Sequence, residues 1–185
     1  IMKELEGATY VVSEYKEGSK SQNPPPPFTT SVLQQDASRK LGFTTKKTMM
    51  LAQQLYEGVE INGVGTGLVT YIRTDSVRIA EEAVHEVREY ISAHYDAKYL
   101  PAKPHFYKAK KNSQDAHEAI RPTSMSFTPE EVKASLTNDQ YKLYKLIFER
   151  FVACQMAAAK YATISVGITA NDRYLFKTGT AKRMF

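Results

Sequence analysis

A tyrosine and an arginine two positions apart, Tyr71 and Arg73, are the side chains of greatest chemical interest in this chain. They lie in the stretch Gly67 to Ser76, which reads GLVTYIRTDS. Its apolar and polar residues alternate and include enough β-branched side chains to predict an extended strand. Side chains two apart share a face of a strand, so we expect Tyr71 and Arg73 to point the same way. The opposite face, which would anchor the strand, carries Leu68, Thr70 and Ile72.

An arginine beside a tyrosine hydroxyl suits attack on a phosphate. A phenol has a pKa near ~10 and is a poor nucleophile until a neighbouring cation favours its anion. The same guanidinium can bind the attacked phosphate. A Tyr-x-Arg strand is more often a cross-strand surface pair than a catalytic site, so the pattern alone leaves both interpretations open.

A second candidate group lies in the stretch Ser113 to Thr123, which reads SQDAHEAIRPT. We expect a short helix stopped by Pro122, on which His117 and Arg121, four residues apart, share a face. Two such groups could grip a phosphate, and His117 could transfer a proton near neutral pH. A structural histidine in an ordinary helix is the alternative. The most concentrated basic patch precedes this stretch and consists of Lys108, Lys110 and Lys111.

Two predicted helices come before the tyrosine stretch. Ser31 and Gln34 match a capping box for the first helix, which Gly42 would end. Thr44 or Thr45 would cap the second, which Gly58 would end. Two short helices joined by a tight turn are typical of a helix-turn-helix motif. Around the turn lie the residues that would contact a DNA backbone, which are Lys40, Lys46 and Lys47; a plain helical hairpin with solvated lysines is the alternative.

A β-hairpin follows the second helix. We expect a strand at Val59 to Ile61, a turn at Asn62 and Gly63, and a return into the strand that carries Tyr71. Helix-turn-helix followed by a hairpin resembles a winged helix. The next helix, roughly Ala80 to His94, would be capped by Asp75 or Ser76.

The remaining pattern predicts more helices and then strands. Helices are expected from Thr128 and over about Asn138 to Ala158, and strands over residues 8–15, 163–169 and 174–177, with 18–22 too polar to continue the first strand. We therefore expect an α+β fold, with a mainly helical, winged-helix-like domain inserted into a partial β-arch domain. The expected boundaries are 1–22 for the first arch strand, 23–159 for the tyrosine domain and 160–185 for the returning arch strands.

Composition narrows the functional class. The net charge of +5 and the pI of about 9.1 favour a polyanionic partner. No run approaches the ~20 apolar residues of a membrane span and no signal peptide is visible, so we expect a cytoplasmic protein without a membrane partner. The single Cys154 excludes an internal disulfide and a cysteine-cluster metal site and is expected to be buried in a helix.

Three separated stretches resemble one family, the type IA DNA topoisomerases, and within it the bacterial enzymes. They are PPFTTSVLQQDASRKLGF with KKTMMLAQQLYEG, then GLVTYIRTDS, then SQDAHEAIRPT, and they follow the family's order and spacing. The likeness covers roughly Pro24 to Ala159. One such motif could be chance, whereas three in order identify the chain as similar to this family.

The resemblance implies a catalytic role for Tyr71 and Arg73. Tyr71 would attack a phosphodiester of single-stranded DNA, form a 5′-phosphotyrosine bond and release a 3′-hydroxyl, which reseals the break after strand passage and so relaxes negative supercoils without ATP. Arg73 would contact the scissile phosphate. His117 would lie near the DNA, with Arg121, Lys46 and Lys47 as further DNA contacts.

The resemblance also implies a part that this sequence does not match. The family carries an N-terminal magnesium-binding domain with a catalytic glutamate and an acidic triad, so magnesium is expected outside this fragment, with no metal ligands within it. The fragment is then expected to look truncated at both ends and to be inactive alone, with the rest of its own chain as a partner. The alternative is a non-enzymatic winged-helix DNA-binding regulator, in which Tyr71 is a structural strand residue.

Overall fold

The computed structural model of the chain describes residues 2–107 and 117–185. The basic patch Lys108, Lys110 and Lys111 lies outside the described residues, as does the start of the second candidate stretch, residues 113–116. The chain divides into two compact units. One comprises residues 1–23 and 158–185, and the other comprises residues 24–157.

Helices and strands both contribute substantially, which confirms the α+β class. In chain order they are α1 (Met2–Leu5), β1 (Tyr10–Gln22), α2 (Thr30–Leu41), α3 (Thr45–Glu57), β2 (Val59–Ile61), β3 (Val64–Thr66), α4 (Glu81–His94), α5 (Pro129–Val132), α6 (Asn138–Cys154), β4 (Ala159–Ala170) and β5 (Tyr174–Arg183). Short 3-10 turns cover Ala97–Tyr99 and Lys133–Ser135. No helix in the described part of the chain is long and apolar enough to cross a membrane.

The first unit is an antiparallel sheet with strand order β1-β4-β5. Contrary to expectation, β1 does not stop before Gly18 but continues to Gln22, which pairs with Ala159. Ladder hydrogen bonds join backbone groups, so a long partner strand extends β1 through small and polar residues that have weak strand preference. The expected β4–β5 turn is confirmed, with Asn171 and Asp172 at φ 48° and 54°.

In the second unit, both helices of the predicted pair are present, with one correction at their caps. The cap of α2 is Thr29, whose hydroxyl accepts from Val32 N, so the expected capping box at Ser31 is wrong. Gly42 ends α2 in the left-handed conformation at φ 69°, which a residue with a Cβ adopts only at a cost. Thr44 caps α3 through Lys47 N.

Among the later helices, the start expected at Thr128 is confirmed. Thr128 caps α5 and Thr137 caps α6, each in a reciprocal capping box. The helix α4 begins after Ala80 without a side-chain cap, so the expected caps at Asp75 and Ser76 are wrong.

The β2–β3 hairpin confirms the turn at Asn62 and Gly63, which have φ of 51° and 80°. Its second strand ends at Thr66, however, so Tyr71 lies beyond the hairpin. Helices α2 and α3 and the hairpin follow in the order of a winged helix, and the winged-helix assignment itself stays a prediction.

The core of the second unit gathers apolar side chains from its helices and from the tyrosine stretch. Fully excluded residues include Leu33 of α2, Leu55 of α3, Ile91 of α4, Ile147 of α6, and Leu68 and Ile72 of the tyrosine stretch. Each buried aliphatic side chain contributes about 1.5–3 kcal/mol. The tyrosine stretch is thus anchored by the same core that holds the helices together.

Candidate functional site

The tyrosine stretch is irregular, with bends at Ile72 and Arg73, and forms no regular strand. Exposed and buried side chains alternate from residue 71 to 76, with Tyr71, Arg73 and Asp75 exposed and Ile72, Thr74 and Ser76 buried. The expected strand is nevertheless wrong, because the stretch makes only an isolated bridge, between Val69 and Pro122. Its neighbours are the irregular residues 119–123 on one side and the first turn of α2 on the other, so it has no strand with which to form a continuous ladder.

Tyr71 lies between two other rings. Its side chain is 41% exposed. The ring of Tyr56, at the end of α3, meets it edge to face with centroids 5.6 Å apart. The imidazole of His117 stacks against it at 5.7 Å, with 29° between the ring planes. These geometries are favoured by aromatic quadrupoles, and they restrain the phenol ring while leaving it open to solvent.

One side of the tyrosine stretch is held by residues 119–123. Thr70 N donates to Arg121 O at 2.9 Å, and Thr70 Oγ1 donates to Ala119 O at 2.7 Å. Arg121 N in turn donates to Thr70 Oγ1 at 3.0 Å. The residue immediately before Tyr71 is therefore tied down through both its backbone and its side chain.

The other side is held by the first turn of α2. Thr30 N donates to Thr74 O at 2.9 Å, which satisfies one of the backbone donors left free at a helix start. Thr30 Oγ1 lies 2.7 Å from Ile72 O and accepts from Thr74 N at 2.9 Å. Tyr71 therefore lies between two anchored residues, Thr70 before it and Ile72 after it.

Arg73 is exposed, and its side chain has no hydrogen bond or ion pair within residues 2–107 and 117–185. Tyr71 and Arg73 are both exposed positions of the alternating stretch. An unpaired guanidinium keeps all of its donors for a ligand, and phosphate oxygens suit its fork geometry.

The expected helix over the second candidate stretch is wrong in its described part. Residues 117–123 are extended, with Ile120 bridging to Phe28. His117 and Arg121 therefore do not share a helical face. His117 turns to Tyr71, whereas Arg121 Nε donates to Glu118 Oε2 at 2.8 Å and its Nη1 donates to Pro122 O at 2.9 Å. The side chain of Arg121 is only 13% exposed, so its donors serve the fold.

The two candidate lysines of α3 are not brought to Tyr71. Lys46 and Lys47 lie in the first turn of α3 and Tyr56 in its last, a separation of about 15 Å along the helix axis. Lys47 Nζ pairs with Asp139 at 2.6 Å and lies over the ring of Phe43. Lys46 is exposed.

Sequence reasoning missed Tyr56 and Thr30. Tyr56 is 39% exposed and faces Tyr71. The buried positions of α3 are Thr48, Leu51, Ala52 and Leu55, a complete i, i+3, i+4, i+7 set that places Tyr56 at its edge. That periodicity could have excluded Tyr56 from the core, whereas no local signal marks the long-range contacts of Thr30.

The described residues contain no metal cluster. No group of three or more His, Cys, Asp or Glu side chains within residues 2–107 and 117–185 is placed to hold an ion.

Comparisons with known proteins point in one direction. A family model described as DNA topoisomerase matches residues 1–183. DNA topoisomerase 1 of Treponema pallidum is 54% identical over 91% of this chain, and that of Campylobacter jejuni is 47% identical over 100% of it. The solved structure of full-length topoisomerase I from Thermotoga maritima matches the whole chain with a TM-score of 0.83 and 42% identity. The chain spans 23% and 26% of the two curated relatives and 30% of the solved chain.

Proposed function

The chain belongs to the bacterial type IA DNA topoisomerase family, and we propose that it carries the tyrosine with which such an enzyme cuts one DNA strand. The observation that carries the proposal is the placement of Tyr71. It is exposed, restrained by two rings and tethered on both sides, and two positions further on lies the exposed Arg73, whose guanidinium is unpaired within the described residues. Preorganised geometry of this kind lowers the cost of reaching a reactive arrangement.

In the proposed reaction, the Tyr71 oxygen attacks a backbone phosphorus of single-stranded DNA. The new phosphorus–oxygen bond replaces the bond to the 3′ oxygen, which leaves with a proton as a free hydroxyl, so the downstream piece stays joined to the protein as a 5′-phosphotyrosine ester. Reversal of the same exchange reseals the strand. No external energy source is needed, because one ester replaces another.

Arg73 has a distinct part in this proposal. Negative charge accumulates on the phosphate oxygens in the transition state, and a guanidinium aimed at them stabilises that state more than the ground state. The stacked His117 lies where it could contact the same phosphate or move a proton. Lys46 is kept as a more distant contact to the DNA backbone. Lys47 and Arg121 have a smaller part as DNA contacts, because their charges already have partners in the fold.

The larger setting belongs to the same proposal. Residues 24–157 would be the tyrosine-bearing domain. The three-stranded sheet would be part of the arch that holds this domain. The magnesium expected of the family would be bound by a part of the protein outside this chain, and the chemistry of Tyr71 is derived without it. The family model and the names of the relatives support the enzyme over a non-enzymatic winged-helix regulator.

Replacing Tyr71 with phenylalanine in the full-length protein tests the proposal. With a single-stranded oligonucleotide labelled at its 3′ end, the unaltered protein should form a labelled covalent adduct on a denaturing gel. Tyr71→Phe should form none, while its Kd for the oligonucleotide changes by no more than about threefold. Tyr95→Phe is a matched control, because Tyr95 is 42% exposed and loses the same hydroxyl. An adduct formed by Tyr71→Phe would overturn the proposal.

A further inference from the structure

We propose that Thr30 is a positioning residue for strand cleavage, acting through Arg73. This inference rests on the proposed function. Thr30 lies in the first turn of α2, far from Tyr71 and Arg73 in the sequence, yet its hydroxyl and backbone contact the residues on either side of Arg73. The carbonyl of Ile72 precedes Arg73, and the amide of Thr74 follows it.

The Thr30 hydroxyl both donates and accepts a hydrogen bond, and we call this pair of bonds the clamp. A hydroxyl has a single proton, and Oγ1 lies 2.7 Å from Ile72 O but 3.1 Å from Thr74 O, which already accepts from Thr30 N. The proton therefore goes to Ile72 O. The lone pairs of the same oxygen accept from Thr74 N at 2.9 Å. One side chain thus satisfies a carbonyl and an amide that no regular strand pairs.

The clamp sets the direction of Arg73 without touching its side chain. The peptide groups on both sides of Arg73 are held, and Ile72 and Thr74 are buried, so the Cα of Arg73 has little freedom to move. The guanidinium itself is unpaired within the described residues and would be held over a phosphate only by this backbone. Small errors in placing a transition-state contact reduce rates strongly, so loss of the clamp should slow cleavage more than it weakens DNA binding.

The test measures single-turnover cleavage of a 3′-labelled oligonucleotide by the full-length protein. Thr30→Val keeps the size of the side chain but removes the hydroxyl, and we expect cleavage to slow about tenfold or more with Kd within about threefold. Thr30→Ser restores the hydroxyl and should cleave within about threefold of the unaltered protein. Thr48→Val is the control and should cleave within about threefold of the unaltered protein, because Thr48 Oγ1 makes a similar 3.0 Å bond to Thr44 O, away from the tyrosine stretch.

Repeating the Thr30 substitution in the Arg73→Ala variant distinguishes positioning of Arg73 from a general loss of stability. In Arg73→Ala, the substitution Thr30→Val should slow cleavage by no more than about twofold, because the side chain that it positions is absent. Equal loss in both backgrounds, or normal cleavage by Thr30→Val, would overturn the inference. If Thr30→Val does not fold, Thr30→Ala removes the same hydroxyl without adding a methyl group, and the same two outcomes apply.

The proposed function is checked in the same series with Tyr71→Phe. If Tyr71→Phe forms no adduct while Thr30→Val cleaves normally, only the role of Thr30 is wrong. If Tyr71→Phe still forms an adduct, the proposed function and the role of Thr30 are both wrong.

Discussion

The imidazole of His117 stacks on the ring of Tyr71, with centroids 5.7 Å apart and 29° between the planes. This contact can act in two ways that substitution distinguishes. A ring nitrogen can donate to a phosphate or move a proton, whereas the ring as a flat surface can only restrain the phenol.

We expect the nitrogen atoms of His117 to matter most. His117→Phe keeps a ring to stack on Tyr71, and His117→Ala removes it, yet both should slow single-turnover cleavage by about a hundredfold, because neither can exchange a proton or hydrogen bond. Cleavage by His117→Phe close to that of the unaltered protein would show that stacking alone is sufficient.

Arg73→Lys should reduce cleavage even though it keeps the charge. Only the planar guanidinium can present two parallel donors to one phosphate, so we expect a loss of about tenfold for lysine and more for Arg73→Ala, read from the adduct rate. Unchanged cleavage by Arg73→Lys would indicate that a positive charge is sufficient.

Arg121 should stabilise the fold rather than bind DNA. Its guanidinium donates to Glu118 and to Pro122 O and is largely buried, so Arg121→Ala should lower the free energy of unfolding in urea by about 1–3 kcal/mol. Glu118→Gln keeps an oxygen acceptor and should cost less. The opposite result would come from the salt dependence of DNA binding. If the slope of log K against log salt concentration falls by about one in Arg121→Ala, Arg121 contacts a phosphate.

Gly67 is needed because α3 approaches the tyrosine stretch closely. A Cβ at this position would lie 2.8 Å from Tyr56 O, a backbone atom that cannot easily move. We expect Gly67→Ala to lower the free energy of unfolding by about 1–3 kcal/mol, measured in urea. The control is Gly65→Ala, whose Cβ has open space around it and should change stability by about 0.5 kcal/mol or less. Equal effects would mean that the close approach is not the cause.

Cys154 should resist alkylation in the folded protein. Burial raises the pKa of its thiol to about 12, against the smaller opposing effects of the Gln155 side chain and Arg150. The thiolate is the reactive form, so at pH 8 the folded chain holds roughly a thousandfold less of it than an unfolded chain does. Mass spectrometry after iodoacetamide treatment should show modification of Cys154 in urea but not in buffer. Similar rates of modification in urea and in buffer would mean that the thiol is accessible in the folded protein.

The local elements of this fold follow closely from local signals. Thr44 and Thr128 cap helices because a side-chain oxygen can reach a free backbone donor one turn ahead, and Gly42 ends α2 because it tolerates positive φ. Such interactions span only three or four residues, so the sequence pattern predicts them.

Two helix caps, at Ser31 and at Asp75 or Ser76, are predicted wrongly from local signals, and the other failures involve distant partners. Gln22 is in a strand only because β4 pairs with it, and Arg121 is extended because Thr70 bonds it on both its amide and its carbonyl. The alternation around Tyr71 predicts that Tyr71 and Arg73 lie opposite the anchoring face, and both are exposed in the structure. It could not show that Tyr56 and His117 would flank the ring, since those contacts depend on the tertiary fold.

The bonds of Tyr107 have a consequence for the order of folding. Its hydroxyl lies 2.6 Å from Cys154 O and 3.3 Å from Pro24 O, and so joins the two ends of the unit formed by residues 24–157. The paired strands β1 and β4 are about 140 residues apart along the chain, a costly loop to close from an unfolded state. Once the helical unit has folded, its own ends bring the two strands together, and their pairing becomes a nearly local event. We therefore expect the sheet to form after the helices, at a rate set by the helical unit.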